Sequence, residues 1–269
     1  MGVQFLGRSS INLCPYPARL RHCKMPGMTQ PPALPACCPV LDTHWPLPQT
    51  LPGVVLVSGA FNPHHLADGD FQRCLIESPD SIQRSVAKRQ AEFLAGRLCA
   101  REALQQLDGR HYVPSIGEDR APVWPADVRG SITHSHGWAA AIVGHQQQWR
   151  GLGLDMEPLL DHERAQRLAG EILTDDELQR MAAGPDAQIA LLVTLTFSVK
   201  ESLFKAIYPL VQKRFYFKDA QVLEWSDSGS ARLRLQIDLS GEWRNGTELD
   251  AQFRVDNGKL LSLVSVAAL

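Results

Sequence analysis

Glu201 and Lys205 stand four residues apart in Phe197-Ser198-Val199-Lys200-Glu201-Ser202-Leu203-Phe204-Lys205, an otherwise apolar run. On a helix, residues i and i+4 are neighbours on one face. The pair reads either as a modest surface ion pair or as a base and a phosphate-binding cation on one rigid rod. Upstream, Asp155 and Glu157 alternate in Gly151-Leu152-Gly153-Leu154-Asp155-Met156-Glu157. Residues two apart in a strand share a face, so these carboxylates project together and repel. They want a cation between them, and carboxylate oxygens suit Mg2+. The plain alternative is a pair of solvated acids ahead of Pro158.

The basic candidates are more scattered. Arg89 and Arg97 fall inside the apolar stripe of a long helical pattern. Charges there are costly unless paired, so they either snorkel or pair, or they reach through to a phosphate. Arg120 sits in a Pro-punctuated loop, 114–125, whose prolines should stiffen it. Lys88 lies off the stripe, and His134 lies beside a strand. Each of these two, taken alone, reads as an ordinary surface residue.

The elements that must position these groups follow from periodicity. Val54-Val55-Leu56-Val57 opens a strand within 53–60. A helical pattern runs from Pro79-Asp80-Ser81 to a stop at Asp108-Gly109. Its apolar side carries Ile82, Val86, Phe93, Leu104 and Leu107, with Leu94 at the edge; Gly96 within it implies close backbone packing. Segments 130–144 and 151–157 read as two strands of a hairpin around a short polar interval. Helical signal returns over 161–183, interrupted by an N-terminal signature at Thr174-Asp175-Asp176-Glu177. A strong helix then runs from about 186 to 208, stopped by Pro209. Ser198-x-x-Glu201 matches a capping box, which would reduce Glu201 to a cap. The apolar Ala190 to Leu195 already reads as helix before Ser198, which favours a continuous helix. Beyond 211, segments 215–217, 221–225, 231–237, 249–255 and 260–266 read as antiparallel strands joined by Gly- and Asn-containing turns.

Composition limits the classes open to the chain. It has 269 residues, 44% of them apolar, enough for one large domain or two ordinary ones. The net charge of −2 gives no global attraction to nucleic acid or membrane surface. No apolar run reaches the roughly 20 residues of a membrane span. Six cysteines without paired CxxC spacing do not support a zinc site and suit a reduced, cytoplasmic protein. Residues 1–40 are rich in Pro, Arg and Cys and lack periodicity; they read as disordered or as foreign to the natural protein, with Met25 and Met28 as alternative starts. The N-terminus carries Arg8 but no apolar stretch of signal-peptide length, which does not support secretion.

Three motifs now stand in order: Ser131-Ile132-Thr133-His134-Ser135, Gly153-Leu154-Asp155-Met156-Glu157, and Phe197 to Lys205. Together they make the chain resemble the 4'-phosphopantetheinyl transferases of the surfactin-type class, most of all the enterobactin synthase component D group. The likeness extends to Ala91-Glu92-Phe93-Leu94-Ala95-Gly96-Arg97 and to Ile116-Gly117-Glu118-x-Arg120-x-Pro122-Val123-Trp124-Pro125, so it covers roughly 80–208. Each motif alone is weak; their order and spacing are specific. Leu154 stands where isoleucine or valine is usual, a small departure.

The resemblance implies an α+β fold of two pseudo-repeated halves, each an antiparallel sheet packed with a long helix. Residues 41–150 would form the coenzyme A half, and 151–269 the half with the metal and catalytic helix. It implies transfer of 4'-phosphopantetheine from coenzyme A to a serine of an apo acyl or peptidyl carrier protein. 3',5'-ADP leaves, and Mg2+ is required. Asp155, Glu157 and Glu201 would be the metal ligands, with Glu201 also the candidate base and Lys205 on the pyrophosphate. His134, Thr133 and Arg120 would bind the adenine and 3'-phosphate side, with Lys88, Arg89 and Arg97 as further phosphate contacts. The expected protein is a cytoplasmic monomer without a membrane span or nucleic-acid partner, serving carriers of fatty acid or siderophore biosynthesis. Lys213, Arg214 and Phe215 are candidates for the carrier-facing rim.

Overall fold

The computed structural model describes residues 33–268. The chain runs β1 (Val54–Ala60), α1 (Asp70–Arg73), α2 (Asp80–Gln83), α3 (Ala87–Asp108), β2 (Ser115–Ile116), β3 (Pro122–Val123), β4 (Val128–Ser135), β5 (Trp138–His145) and β6 (Trp149–Pro158). It continues through α4 (His162–Ile172), α5 (Asp175–Ala183), α6 (Ile189–Val211), β7 (Ala220–Trp225), β8 (Ser230–Leu235), β9 (Glu248–Asp256) and β10 (Lys259–Ala267). The described strands form two large antiparallel sheets, ordered β1-β5-β4 and β6-β10-β9-β8-β7, and a small β2-β3 hairpin. α3 packs on the first sheet and α6 on the second. The expected α+β architecture of two sheet-plus-helix halves is therefore present.

β5 is buried along almost its whole length because α3 covers one face and the second sheet the other. That is why it reads Ala-Ala-Ala-Ile-Val rather than alternating. Leu56, Ile142, Leu152, Leu154, Leu261 and Leu263 form the apolar layer between the sheets. α6 is apolar nearly all round because β6, β10 and α4 enclose it.

β6 meets α6 backbone to backbone. A Cβ on Gly151 would lie 2.4 Å from the Ala206 carbonyl oxygen, and one on Gly153 would lie 1.9 Å from that of Ser202. Only glycine permits this approach. With 151 and 153 facing α6, strand alternation turns Asp155 and Glu157 to the same side.

Several expectations need correction. Residues 33–40 are packed, with Cys37 and Cys38 fully buried and the Asn62 N–H donating to the Cys37 carbonyl at 2.8 Å. The remainder of the expected 1–40 extension, residues 1–32, lies outside the described residues. The helix expected from Pro79 is broken at Ser85-Val86; Val86 is extended, caps α3 and is 73% exposed, so it does not share the apolar stripe. Segment 130–144 is itself a hairpin, turning at His136-Gly137 with φ of 43° and 75°. Both turn residues are left-handed, as a tight two-residue hairpin demands. β6 accordingly pairs with β10, not with β5. Pro209 falls within the last turn of α6, which ends at left-handed Gln212. The 215–217 strand is absent; a 3-10 turn at Phe217–Asp219, with the Asp219 side chain accepting from the Tyr216 N–H, takes its place. The chain also holds an apolar run of membrane-span length, contrary to expectation. Residues 186–211 are long and apolar enough by length and composition, yet 56% of that window is buried in the fold.

The glycine contacts make opposite substitutions distinguishable by chemical denaturation. Gly153→Ala should cost about 3 kcal/mol or more, because the obstructing atoms are backbone. Gly170→Ala in α4, which meets nothing within 4 Å, should add roughly 1 kcal/mol. A neutral Gly153→Ala would refute the close approach of β6 and α6.

Candidate active site

Lys205 does not pair with Glu201. Its ammonium donates to Asp155 Oδ1 at 2.6 Å and to the Leu154 carbonyl at 3.2 Å. The other oxygen of Asp155 accepts from the Ser198 hydroxyl at 2.9 Å. Ser198 is thus a buried residue inside a continuous helix, and the capping-box reading falls away. Asp155 is 4% exposed. Glu157 and Glu201 flank it and are half-buried.

The electrostatics are those of a site short of positive charge. Burial, then the neighbouring Asp155 carboxylate, pushes the Glu157 carboxyl up to about 7. Burial also raises Glu201, with Lys205 opposing the shift and Asp155 adding to it. Lys205 opposes both shifts, and Arg164 adds to it at Glu157. An added divalent cation fits this donor set by charge and by ligand type. The ligand atoms do not yet converge: among the described residues, the trio within 4.8 Å of one another is Asp108, Asp127 and His145. Those two carboxylates are already bridged by Arg110 at 2.7 Å, on the protein surface. Closing Asp155, Glu157 and Glu201 on an ion therefore takes side-chain rotation.

A second cluster lies where β4 faces α3. Residues 132 and 134 of β4 point to α3; Ile132 fills the space above Gly96, and His134 meets Arg89 and Glu92. Arg89 Nη1 lies 2.8 Å from His134 Nε2, and Glu92 Oε2 lies 3.6 Å from His134 Nδ1. Burial lowers the His134 proton affinity, so the ring is neutral and Nε2 accepts from the guanidinium. The charges of Lys205 and Asp155 also act on this ring, so the two clusters adjoin. Arg97, two turns along α3 from Arg89, is 6% exposed and lies 4.4 Å over the Phe93 ring. Its Nη2 donates to the Ser115 carbonyl at 3.5 Å, while its Nε has no partner among the described residues. Burial, then the charge of Arg89, lowers it to about 10.

Three further expected ligand residues lie apart from these clusters. The Thr133 hydroxyl is 3% exposed and accepts the Met156 N–H at 3.1 Å, clamping β4 to β6. Strand alternation turns 131 and 133 away from α3 and towards β6. Lys88 is exposed on the first turn of α3. Arg120 is at the tip of the β2–β3 hairpin, with φ of 71°.

A cleft of about 1030 Å³ runs between that hairpin and α6. Arg120, Trp124, Arg129, Arg150, Glu201, Lys205, Tyr208 and Arg214 are among the residues that line it. Sequence reading missed Arg129 and Arg150, which stand just ahead of Ser131–Ser135 and Gly151–Glu157. It also missed Glu92, though that residue sits inside a quoted motif. Glu201 further lines a smaller apolar recess with Phe204, Arg214, Phe215, Tyr216 and Phe217.

The raised Glu157 carboxyl makes stability depend on pH. A carboxyl held above its ordinary 4.5 favours the folded state while protonated. That contribution is complete below 4.5 and is lost as pH rises through about 7. In metal-free buffer, melting temperature should fall from about pH 5 to about pH 8 more steeply in the wild type than in Glu157→Gln. Parallel curves would show that Glu157 titrates as a solvated acid.

The model of the 4'-phosphopantetheinyl transferase N-terminal domain matches residues 77–144, and that of the 4'-phosphopantetheinyl transferase superfamily matches 151–257. Enterobactin synthase component D of Escherichia coli (strain K12) is 41% identical over 147 residues, covering 54% of this chain and 66% of the relative. That match thus spans just under two thirds of the relative's length. The 4'-phosphopantetheinyl transferase PptT of Mycobacterium tuberculosis is 33% identical over 201 residues, covering 71% of this chain and 85% of the relative. Npt of Nocardia iowensis is 29% identical over 202 residues, with 69% and 86% covered. With both halves of its fold matched in sequence, and a relative covered over most of its length, the chain belongs to the 4'-phosphopantetheinyl transferase superfamily.

Proposed function

We propose that the protein transfers the 4'-phosphopantetheine group of coenzyme A to a serine hydroxyl of an apo acyl or peptidyl carrier protein. The observation that carries this reading is a deficit of positive charge beside a basic cleft. Glu157 and Glu201 are held above their ordinary proton affinity where β6 meets α6, next to a cleft walled by Arg120, Arg129 and Lys205. Asp155, Glu157 and Glu201 would hold Mg2+, which when bound neutralises charge on the pyrophosphate oxygens.

The chain's own groups do the rest. The serine Oγ forms a bond to the β-phosphorus, the bond from that phosphorus to the bridging oxygen breaks, and its electron pair leaves with 3',5'-ADP. Glu201, which faces both the large cleft and the apolar recess, takes the serine proton. Lys205 supplies a point charge to the pyrophosphate or leaving oxygens. Arg89, His134 and Arg120 bind the remaining phosphate groups. The unpartnered Nε of buried Arg97 supports an anion there. Residues 41–150 thus make the coenzyme A side and 151–269 the metal and base side. Lys213 and Arg214 are exposed beside the aromatic recess, which suits an acidic carrier. The relatives named enterobactin synthase component D support a siderophore carrier among the partners. The four described cysteines are free and buried, which fits a cytoplasmic enzyme.

The test is to incubate the protein with coenzyme A, Mg2+ and a panel of apo carrier proteins and to weigh each carrier. A carrier should gain one phosphopantetheine mass; no gain on any carrier overturns the reading. Asp155→Ala and Glu201→Ala should abolish transfer while circular dichroism remains native. Lys205→Ala should slow turnover by about 10²- to 10³-fold. Normal turnover in either carboxylate variant would refute the site.

A further inference from the structure

Asp155 is held by a chain of serines that leads away from the cleft. Ser262 on β10 stands directly opposite Asp155 across the β6–β10 pair. Ser198 and Ser202, one turn apart on α6, sit either side of it. Ser198 Oγ lies 2.8 Å from Ser262 Oγ, and Ser202 Oγ lies 2.8 Å from Ser262 Oγ and 3.0 Å from the Ser262 carbonyl. All three serines are fully buried.

The direction of the chain follows from counting protons. A hydroxyl has one hydrogen to donate. Ser198 spends its hydrogen on Asp155 Oδ2. At the 2.8 Å contact with Ser198, Ser262 must therefore be the donor. Ser202 in turn donates to Ser262, through its hydroxyl or its carbonyl oxygen. The Ser262 and Ser198 hydrogens thus point towards the carboxylate. Such an array pins Oδ2 on the protein side and leaves Oδ1, now on Lys205, as the oxygen turned outward. A buried carboxylate lacking these donors would carry an unmet desolvation cost and would be free to rotate.

We propose that Ser198 and Ser262 are positioning residues that fix the Asp155 carboxylate so that one oxygen alone is presented to the cation. Ser262 lies beyond the residues matched by the superfamily model, which end at 257. The inference rests on the reading of Asp155 as a metal ligand, and its test separates the two.

The probe is Mn2+ titrated into the full chain without coenzyme A, with free Mn2+ read by electron paramagnetic resonance. Asp155→Ala should lose most of the binding. Ser198→Ala should weaken it about tenfold, the usual effect of removing an outer-shell partner. Ser262→Ala, which removes no contact to Asp155, should weaken it by a smaller factor. The double variant should match Ser198→Ala alone, because Ser262 acts only through Ser198. Wild-type Mn2+ affinity in Ser198→Ala, with loss in Asp155→Ala, overturns the serine chain and leaves the metal reading standing. Wild-type affinity in Asp155→Ala overturns both. A double variant weaker than Ser198→Ala overturns the role of Ser262. Lowered melting temperatures with unchanged Mn2+ affinity would show the serines to be purely structural. Should Ser198→Ala fail to fold, Ser262→Ala decides the question, with wild-type affinity overturning the proposal.

Discussion

The site exists because a strand lies on a helix without side chains between them. Gly151 and Gly153 let the β6 backbone rest on the carbonyls of Ala206 and Ser202. A side chain at either position would push the two elements apart. Asp155 has a short side chain, and it reaches Ser198 and Lys205 only at this separation. The same approach delivers Glu157 and Glu201 to one region and sets them against each other electrostatically. The glycines are therefore part of the chemistry although they carry none.

α6 must also be fixed in rotation, since its functional residues point in several directions. A buried pair achieves this from the opposite side. Lys200 and Glu177, each 2% exposed, meet at 2.7 Å, and Lys200 also donates to the Ile172 carbonyl. Glu177 accepts the Thr174 and Val222 N–H groups, so it caps α5 and ties it to β7. A buried ion pair is seldom a net source of stability, but one with its hydrogen bonds satisfied selects a single arrangement. With Lys200 locked into that corner, Glu201 falls on the clefts and Lys205 on Asp155.

β4 divides its residues between the two halves. Ser131 and Thr133 bond across to β6, at the Leu154 carbonyl and the Met156 N–H. Ile132 and His134 face α3. One strand thus joins the sheets and also presents the histidine, which is why a motif quoted as a unit contains one structural and one candidate ligand residue.

Much of this was legible beforehand. Periodicity found the long helices, the terminal antiparallel strands and the capping box at Thr174, because those signals are local. The motifs named the acids, Lys205 and His134 with no structure at hand. Periodicity failed at Val86, at the His136-Gly137 turn and at Pro209, where one or two backbone angles decide and residue type constrains them weakly. It could not foresee that Lys205 belongs to Asp155 and not to Glu201, because an i,i+4 spacing shows which residues share a helix face but not what lies across from it. By itself, the sequence determined which residues can carry charge, which faces must be buried, and that Gly96 marks a close approach, which Ile132 makes. Only the tertiary structure decided the partners of those charges, since Asp155, Ser198, Lys205 and Ser262 come from segments far apart in the chain and meet only when β6, α6 and β10 pack.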